Sequence, residues 1–282
     1  MIYNIFHPTP LLSDIVDHYW YTTMELPRSV DQHYPTPLLQ GMAFNFKKQT
    51  EYHSYHGRTL TLYKQAYMFG QPTCPRVITT NEKGVDLLGV KFKPLGLTKI
   101  TGINMEQMAD RIIAAEDIWG NELELLCDEM QSAPTLEETI SVLERFLLHK
   151  YTCTRLHYRV SCAQSALDLI DRYNGNIEVK RLQEQTNISR KTLERAFMHY
   201  LGLKPKFYSE IVRFNAAKQL MNCSPDLSVS DVSFRMGYYD SSHLGAAFKR
   251  FSGTNPTDYM ENLKRVHVEN AHFREKGTDS SS

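Results

Sequence analysis

The chain changes its hydrophobic period once. Up to about residue 100, apolar residues fall in short aromatic and β-branched runs: YWYTTM (19–24), MAFNF (42–46), TLTLY (59–63), RVITT (76–80) and LLGVKFK (87–93), with Pro, Gly and Asn between them. Runs of that length and make-up predict short strands joined by turns, and many such strands predict a barrel or sandwich. From Asn104 the spacing becomes helical over 105–116, 119–131 and 135–150. In the last of these Leu136, Ile140, Leu143, Phe146 and Leu147 share one face, and Thr135 with Glu138 three residues on predicts where it begins.

The remainder predicts helices throughout, broken by residues that cap them. A helix over 163–173 stops at Asn174-Gly175-Asn176. A short one over 179–186 turns at Asn187, and Ser189 caps a second one running to Leu201, which Gly202 ends. Lys204-Pro205 then opens a long helix, 206–222, with Phe207, Ile211, Phe214 and Leu220 along it. The plan then repeats: Ser228 caps 229–236, Gly237 turns, Asp240 caps 241–252, Gly253 stops, and Asn255-Pro256 starts the last helix. Leu193, Ala196, Phe197, Gly202, Pro205 and Tyr208 recur 51 residues later as Leu244, Ala247, Phe248, Gly253, Pro256 and Tyr259. Val179 and Leu182 recur as Val229 and Val232 with an offset of 50, so the second turn is longer by one residue.

Two copies of a short helix, a tight turn and a second amphipathic helix are the pattern of two helix-turn-helix motifs, and a partner that itself repeats, such as duplex DNA, suits a duplicated surface. The stripes Leu193, Phe197, Tyr200 and Leu244, Phe248, Phe251 fix the buried sides. That leaves Arg190, Lys191, Glu194 and Arg195 outward in the first copy, where Arg can pair with guanine and Glu can accept from cytosine. The matching Ser241, Ser242, Gly245 and Ala246 are too short for much base reading. The second motif is therefore expected to hold the backbone, with Lys249, Arg250 and its helix N-terminus. The long helix between is expected to set the two recognition helices about one DNA turn, ~34 Å, apart.

Charge sharpens this picture. The formal net charge is zero, but residues 155–282 carry net +5 and residues 1–154 net −5. Only the C-terminal half would attract phosphates. The other reading of the same helices is a helical-repeat module that binds protein without binding DNA. The five cysteines are odd in number and have no CxxC pairing, and no leader or membrane-length apolar stretch is seen, so a reduced, cytoplasmic chain is expected.

The segments NISRKTLERAFMHYLGLKPKFY and SVSDVSFRMGYYDSSHLGAAFKRFSGTNPTDY resemble the two signatures of AraC/XylS-type bacterial transcription regulators, the second through its GY...SSHL...FKRF.G..P..Y pattern. The resemblance covers 161–262. It implies a sequence-specific DNA-binding regulator, activator or repressor, that is not an enzyme and needs no cofactor. It also implies an N-terminal cupin-like domain that senses a small-molecule effector or forms a homodimer, with a contact to RNA polymerase where the regulator activates. Members often carry a long polar or basic side chain where this chain has Ala246. LLGVKFKPLGLTKITG and the later DIWG resemble an N-terminal domain of some such regulators. The expected fold is α+β: a cupin-like β-barrel plus helices over 1–152, a DNA-binding domain with two helix-turn-helix motifs over 158–265, and a tail over 266–282. Residues 151–158 are expected to connect the two, and the helices 119–131 and 135–150 to supply the dimer surface.

The N-terminal half has weaker chemistry. His53 and His56 form an HxxH near His7, His18 and His33, but without the HxH...E arrangement of metal-binding cupins, so surface or packed histidines are expected and no metal site. Tyr19, Trp20, Tyr21, Phe44 and Phe46 suit either the core of a small barrel or a ligand pocket in its mouth, for which Trp20, Tyr21, Phe44 and Phe46 are the candidates. Cys74 and Cys127 have no base at readable spacing. Cys74-Pro75-Arg76 is not the Pro-Cys-His-Arg motif of alkyl-acceptor repair proteins that share a similar helix-turn-helix domain, so no catalytic residue is expected.

Overall fold

The computed structural model describes residues 2–25, 30–34, 38–47, 51–55, 58–62, 65–80, 84–154 and 159–263. The N-terminal strands form two antiparallel sheets. One holds β1 (Ile2–Phe6), β2 (Val16–Met24), β4 (Gln40–Asn45), β7 (Ala66–Phe69), β9 (Val85–Phe92) and β10 (Ile112–Ala114) in the order β1-β2-β9-β4-β7-β10. The other holds β3 (Val30–Tyr34), β5 (Glu51–Tyr55), β6 (Arg58–Leu62) and β8 (Arg76–Thr80) in the order β3-β8-β5-β6.

Alternation decides which side of the larger sheet is core. Tyr19, Val90, Met42 and Met68 stand opposite one another across β2, β9, β4 and β7, and Tyr21, Leu88, Phe44 and Ala66 form the next row. Helices α3 (Asn121–Ser132) and α4 (Leu136–Cys153) pack into the same cluster with Leu123, Leu126, Met130, Ile140, Leu143 and Leu147. Trp119, at the end of the short α2 (Glu116–Trp119), meets Phe146 edge-on with centroids 4.8 Å apart. The side chain of Thr135 accepts the Glu138 amide and caps α4.

Two expectations are corrected here. Residues 105–116 are not a helix: a single 3-10 turn (Met105–Gln107) is followed by β10, where Ile112 and Ile113 lie opposite Phe69 and Met68. The open edge of β7 supplies hydrogen bonds that one short isolated helix would lack. The apolar stripes of 119–131 and 135–150 are also mostly spent in the chain's own core rather than held open for a dimer, although Leu125 on α3 is 69% exposed.

The C-terminal helices are α5 (Arg159–Arg172), α6 (Val179–Thr186), α7 (Arg190–Leu201), α8 (Pro205–Cys223), α9 (Val229–Arg235) and α10 (Ser241–Ser252), and residues 256–263 are helical. They form a second hydrophobic cluster, centred on Phe197, Phe214, Phe248 and Phe251. Leu95, which precedes α1 (Gly96–Thr101), is buried in this cluster and so ties the sheet to the helical half. Of the expected connection 151–158, α4 takes 151–153, and 155–158 lie outside the described residues, as does the tail 266–282.

Candidate nucleic-acid interface

Local chemistry fixes each motif. Asn187 turns between α6 and α7 in the left-handed conformation, and the Ser189 side chain accepts the Thr192 amide to cap α7. In the second copy Ser228 and Asp231 form a reciprocal capping box on α9. The hydrogen bonds from Ser228 hold the Asp231 carboxyl below the usual range. Asp240 accepts the His243 amide at 2.7 Å and caps α10.

The buried stripes fall where the spacing put them: Leu193, Phe197 and Tyr200 in α7, and Leu244, Phe248 and Phe251 in α10, are all buried. Arg190, Lys191 and Arg195 are exposed, and Glu194 is half-buried. Arg190 and Glu194 are paired, Nε to Oε1 at 2.8 Å, so Arg195 and Lys191 are the more available of the four. On α10, Ser242, Ala246, Lys249 and Arg250 are exposed, and Ser241 and Gly245 half-buried. Arg250 is occupied: it donates to Glu210 at 2.9 Å and its guanidinium lies 4.5 Å from the centre of the Phe207 ring, bracketing α10 onto α8.

Sequence reasoning did not single out three residues at this face. His243, at the position equivalent to Thr192, is exposed and meets Tyr238 edge-on with centroids 5.3 Å apart. Tyr239 is 93% exposed beside the α10 cap, and Phe234 is 86% exposed on α9. Aromatic rings that open to water invite a partner. The signal was present as two apolar residues outside the repeated stripe.

The linker helix α8 orients both motifs. Its 19 residues span about 28 Å at 1.5 Å per residue. From it Arg213 donates to the Gly237 carbonyl at 3.2 Å and stacks 4.4 Å from the Tyr238 ring centre, and Phe214 meets Phe248 and Phe251. Beside Arg213, Gly175 approaches so closely that a Cβ there would lie 2.2 Å from the Ser209 carbonyl. Its φ of +76° also favours glycine.

Three of the four N-terminal pocket candidates, Tyr21, Phe44 and Phe46, lie on the core side of the sheet, and Trp20 does not join them. Tyr21 and Phe44 share the core row, and Phe44 is fully buried. Phe46 packs against the same core, while Trp20 faces the opposite side and lies across Gly89. Among the described residues no His, Cys, Asp and Glu group could hold a metal; the His53 side chain and His56 lie outside them. None of the five cysteines is in a disulfide. Among the described residues no helix is long and apolar enough to cross a membrane.

Two amphipathic units, each a short helix, a turn and a capped second helix, joined by one long helix, define a double helix-turn-helix domain. Residues 182–262 match the family described as a helix-turn-helix domain, and residues 4–114 match a domain of unknown function, DUF6597. The transcriptional activator RhaS of Escherichia coli strain SE11 is 31% identical over 93 residues, 33% of this chain and 33% of that protein. RhaS of Klebsiella pneumoniae strain 342 is 34% identical over the same shares. The chain spans about a third of the length of these curated relatives. The structure of ToxT from Vibrio cholerae with an unsaturated fatty acid covers 86% of this chain and 94% of its own at 12% identity, with a TM-score of 0.49. The helical half of this chain is a double helix-turn-helix domain similar to that of the RhaS activators, carried behind an N-terminal domain of antiparallel sheet and helices.

Proposed function

We propose that this chain is a sequence-specific DNA-binding transcription regulator whose N-terminal half, residues 1–152, responds to a small-molecule effector, and whose residues 158–265 bind two successive major grooves. The observation that carries this is the pair of capped helices α7 and α10, each with a buried stripe and an open N-terminal face, on a half of the chain with net charge +5. In this reading Arg190, Lys191, Glu194 and Arg195 read bases. Ser241, Ser242 and Lys249 hold phosphates, and Arg250 secures α10 on α8 while adding its charge to the phosphate side. Contact with RNA polymerase, self-association and a cytoplasmic location belong to the same proposal. Since α3 and α4 spend most of their apolar faces internally, a homodimer would need another surface.

The test is to mix the purified chain with sheared genomic DNA at near-physiological salt and sequence what it retains. A motif covering two neighbouring major grooves per chain supports the reading. Retention that is absent for random and genomic duplex alike, and insensitive to salt, means the helical repeat binds protein instead.

A further inference from the structure

Where the sheet meets the helical half, a cavity of about 220 Å³ opens between β4, β9, α5, the end of α7 and α8. It is smaller than the ~300–1,000 Å³ usual for drug-sized ligands, so its size suits a small metabolite. Its wall holds two deeply buried oxygens without a hydrogen-bond partner among the described residues, Gln40 Oε1 and Tyr208 Oη, on residues 5% and 2% exposed. Leaving such a group buried and unpaired is costly. The Gln40 amide cannot be turned to escape this, because its Nε2 donates to the Leu201 carbonyl at 3.3 Å and a reversed amide would set two oxygens face to face. Gln40 Oε1 asks for a donor, and the Tyr208 hydroxyl can accept from or donate to the same ligand.

The charged lining is balanced but not uniformly paired. Asp17 and Lys91 satisfy each other at 2.9 Å. Asp171, at the end of α5, and Lys93 both lie at the exposed rim of the cavity and have no ion pair among the described residues. Burial and the neighbouring Asp168 raise the Asp171 carboxyl, the direction expected of an acid lacking its counter-charge. A ligand of zero net charge with separated ends fits this lining better than an anion or a cation.

We propose that this cavity binds a zwitterion of amino-acid size, its ammonium toward Gln40 Oε1, Tyr208 Oη and Asp171 and its carboxylate toward Lys93. Because Leu201 ends α7, occupancy adjusts the pose of the first recognition helix against the sheet. This deepens the effector reading above and rests on it for its regulatory half.

The experiment is calorimetric titration of the full chain with each of the common L-amino acids. For any that binds, its N-acetyl form and its decarboxylated amine follow, each lacking one charge. At least one amino acid is expected to bind, both single-charge probes about tenfold or more weaker. Tyr208→Phe removes an unpartnered hydroxyl and should fold at least as well, and Lys93→Ala changes an exposed side chain. Each is expected to weaken binding about tenfold or more with the melting temperature of the free protein preserved. No binding by any amino acid overturns the site. So does equal binding by wild type and both variants, which would place the ligand elsewhere. A ligand that binds as proposed yet leaves the affinity for DNA unchanged overturns the regulatory half. Failure of the DNA reading would show separately, as no salt-sensitive retention of duplex by the ligand-free chain.

Discussion

At the scale of single residues, the outward set on α7 divides by what each side chain already touches. An exposed i,i+4 pair such as Arg190 and Glu194 contributes only about 0.3–0.5 kcal/mol, so DNA can open it easily. Arg195 has no such partner to give up among the described residues. Arg195→Ala is expected to weaken binding to a selected operator by about 1–3 kcal/mol and to relax the preference at one base pair, read by selection from random duplexes. Lys249→Ala should instead weaken all sequences alike and lower the salt slope by about 1, because a phosphate contact carries no sequence information. An altered preference in the Lys249 variant would move that residue to the base edges. Tyr238 gives a pH prediction. Burial pushes its hydroxyl up to about 12 against the opposing pull of the Arg213 guanidinium. A phenol held neutral in the fold stabilises it fully below its ordinary value of ~10, and that stability fades as pH rises through about 12. Chemical denaturation should show the loss over that window, and Tyr238→Phe should make it shallower, with the other buried tyrosines Tyr19 and Tyr208 keeping the rest.

Helices and strands differ in how much of their cause is local, and this decided what could be read in advance. The starts and ends of α7 and α10 and the start of α9 were legible because Ser189, Ser228, Asp240, Gly202 and Gly253 act on amides and carbonyls within a few residues of themselves. Ser189→Ala should therefore lower stability by about 1 kcal/mol, visible as a lower melting temperature, and weaken DNA binding through fraying of the first turn of α7. Strand β10 was misread because Ile112 and Ile113 owe their conformation to β7, more than 40 residues earlier, and a three-residue strand has no period of its own. β1 was not singled out for a related reason: Ile2, Tyr3 and Ile5 are all exposed, so no alternation marks it as half-buried. Parity separates Trp20 from the other aromatic candidates on β2 and β4, since Trp20 and Tyr21 are neighbours in sequence and hence on opposite faces. The outward residues of α7 and α10 were legible from the stripe alone, whereas the engagement of Arg250 by Glu210 was not. That pair joins helices 40 residues apart.

For the whole molecule, the informative contact is the one between halves, because regulation requires the sheet to bias the recognition helix. Gly202 ends α7 at φ +73°, and a Cβ there would stand 2.4 Å from the Met105 carbonyl in the 3-10 turn after α1. Beside it the Leu201 carbonyl accepts from Gln40 on β4, and Leu95 is buried in the helical cluster. The end of the first recognition helix is thus clamped to the sheet at adjacent residues, without a linker to absorb strain. Gly202→Ala meets two separate penalties, about 1–2 kcal/mol for a left-handed non-glycine residue and a clash with backbone that cannot rotate away. Both halves keep their own cores in this variant, so the contact between them should yield before either unfolds. Hydrogen exchange is expected to quicken at 103–109 and at the end of α7 while the centres of α4 and α8 stay protected. Operator binding by the variant should then become independent of the N-terminal half. If exchange rises evenly across the helical half instead, Gly202 acts as an ordinary helix cap and coupling between the halves travels by another contact.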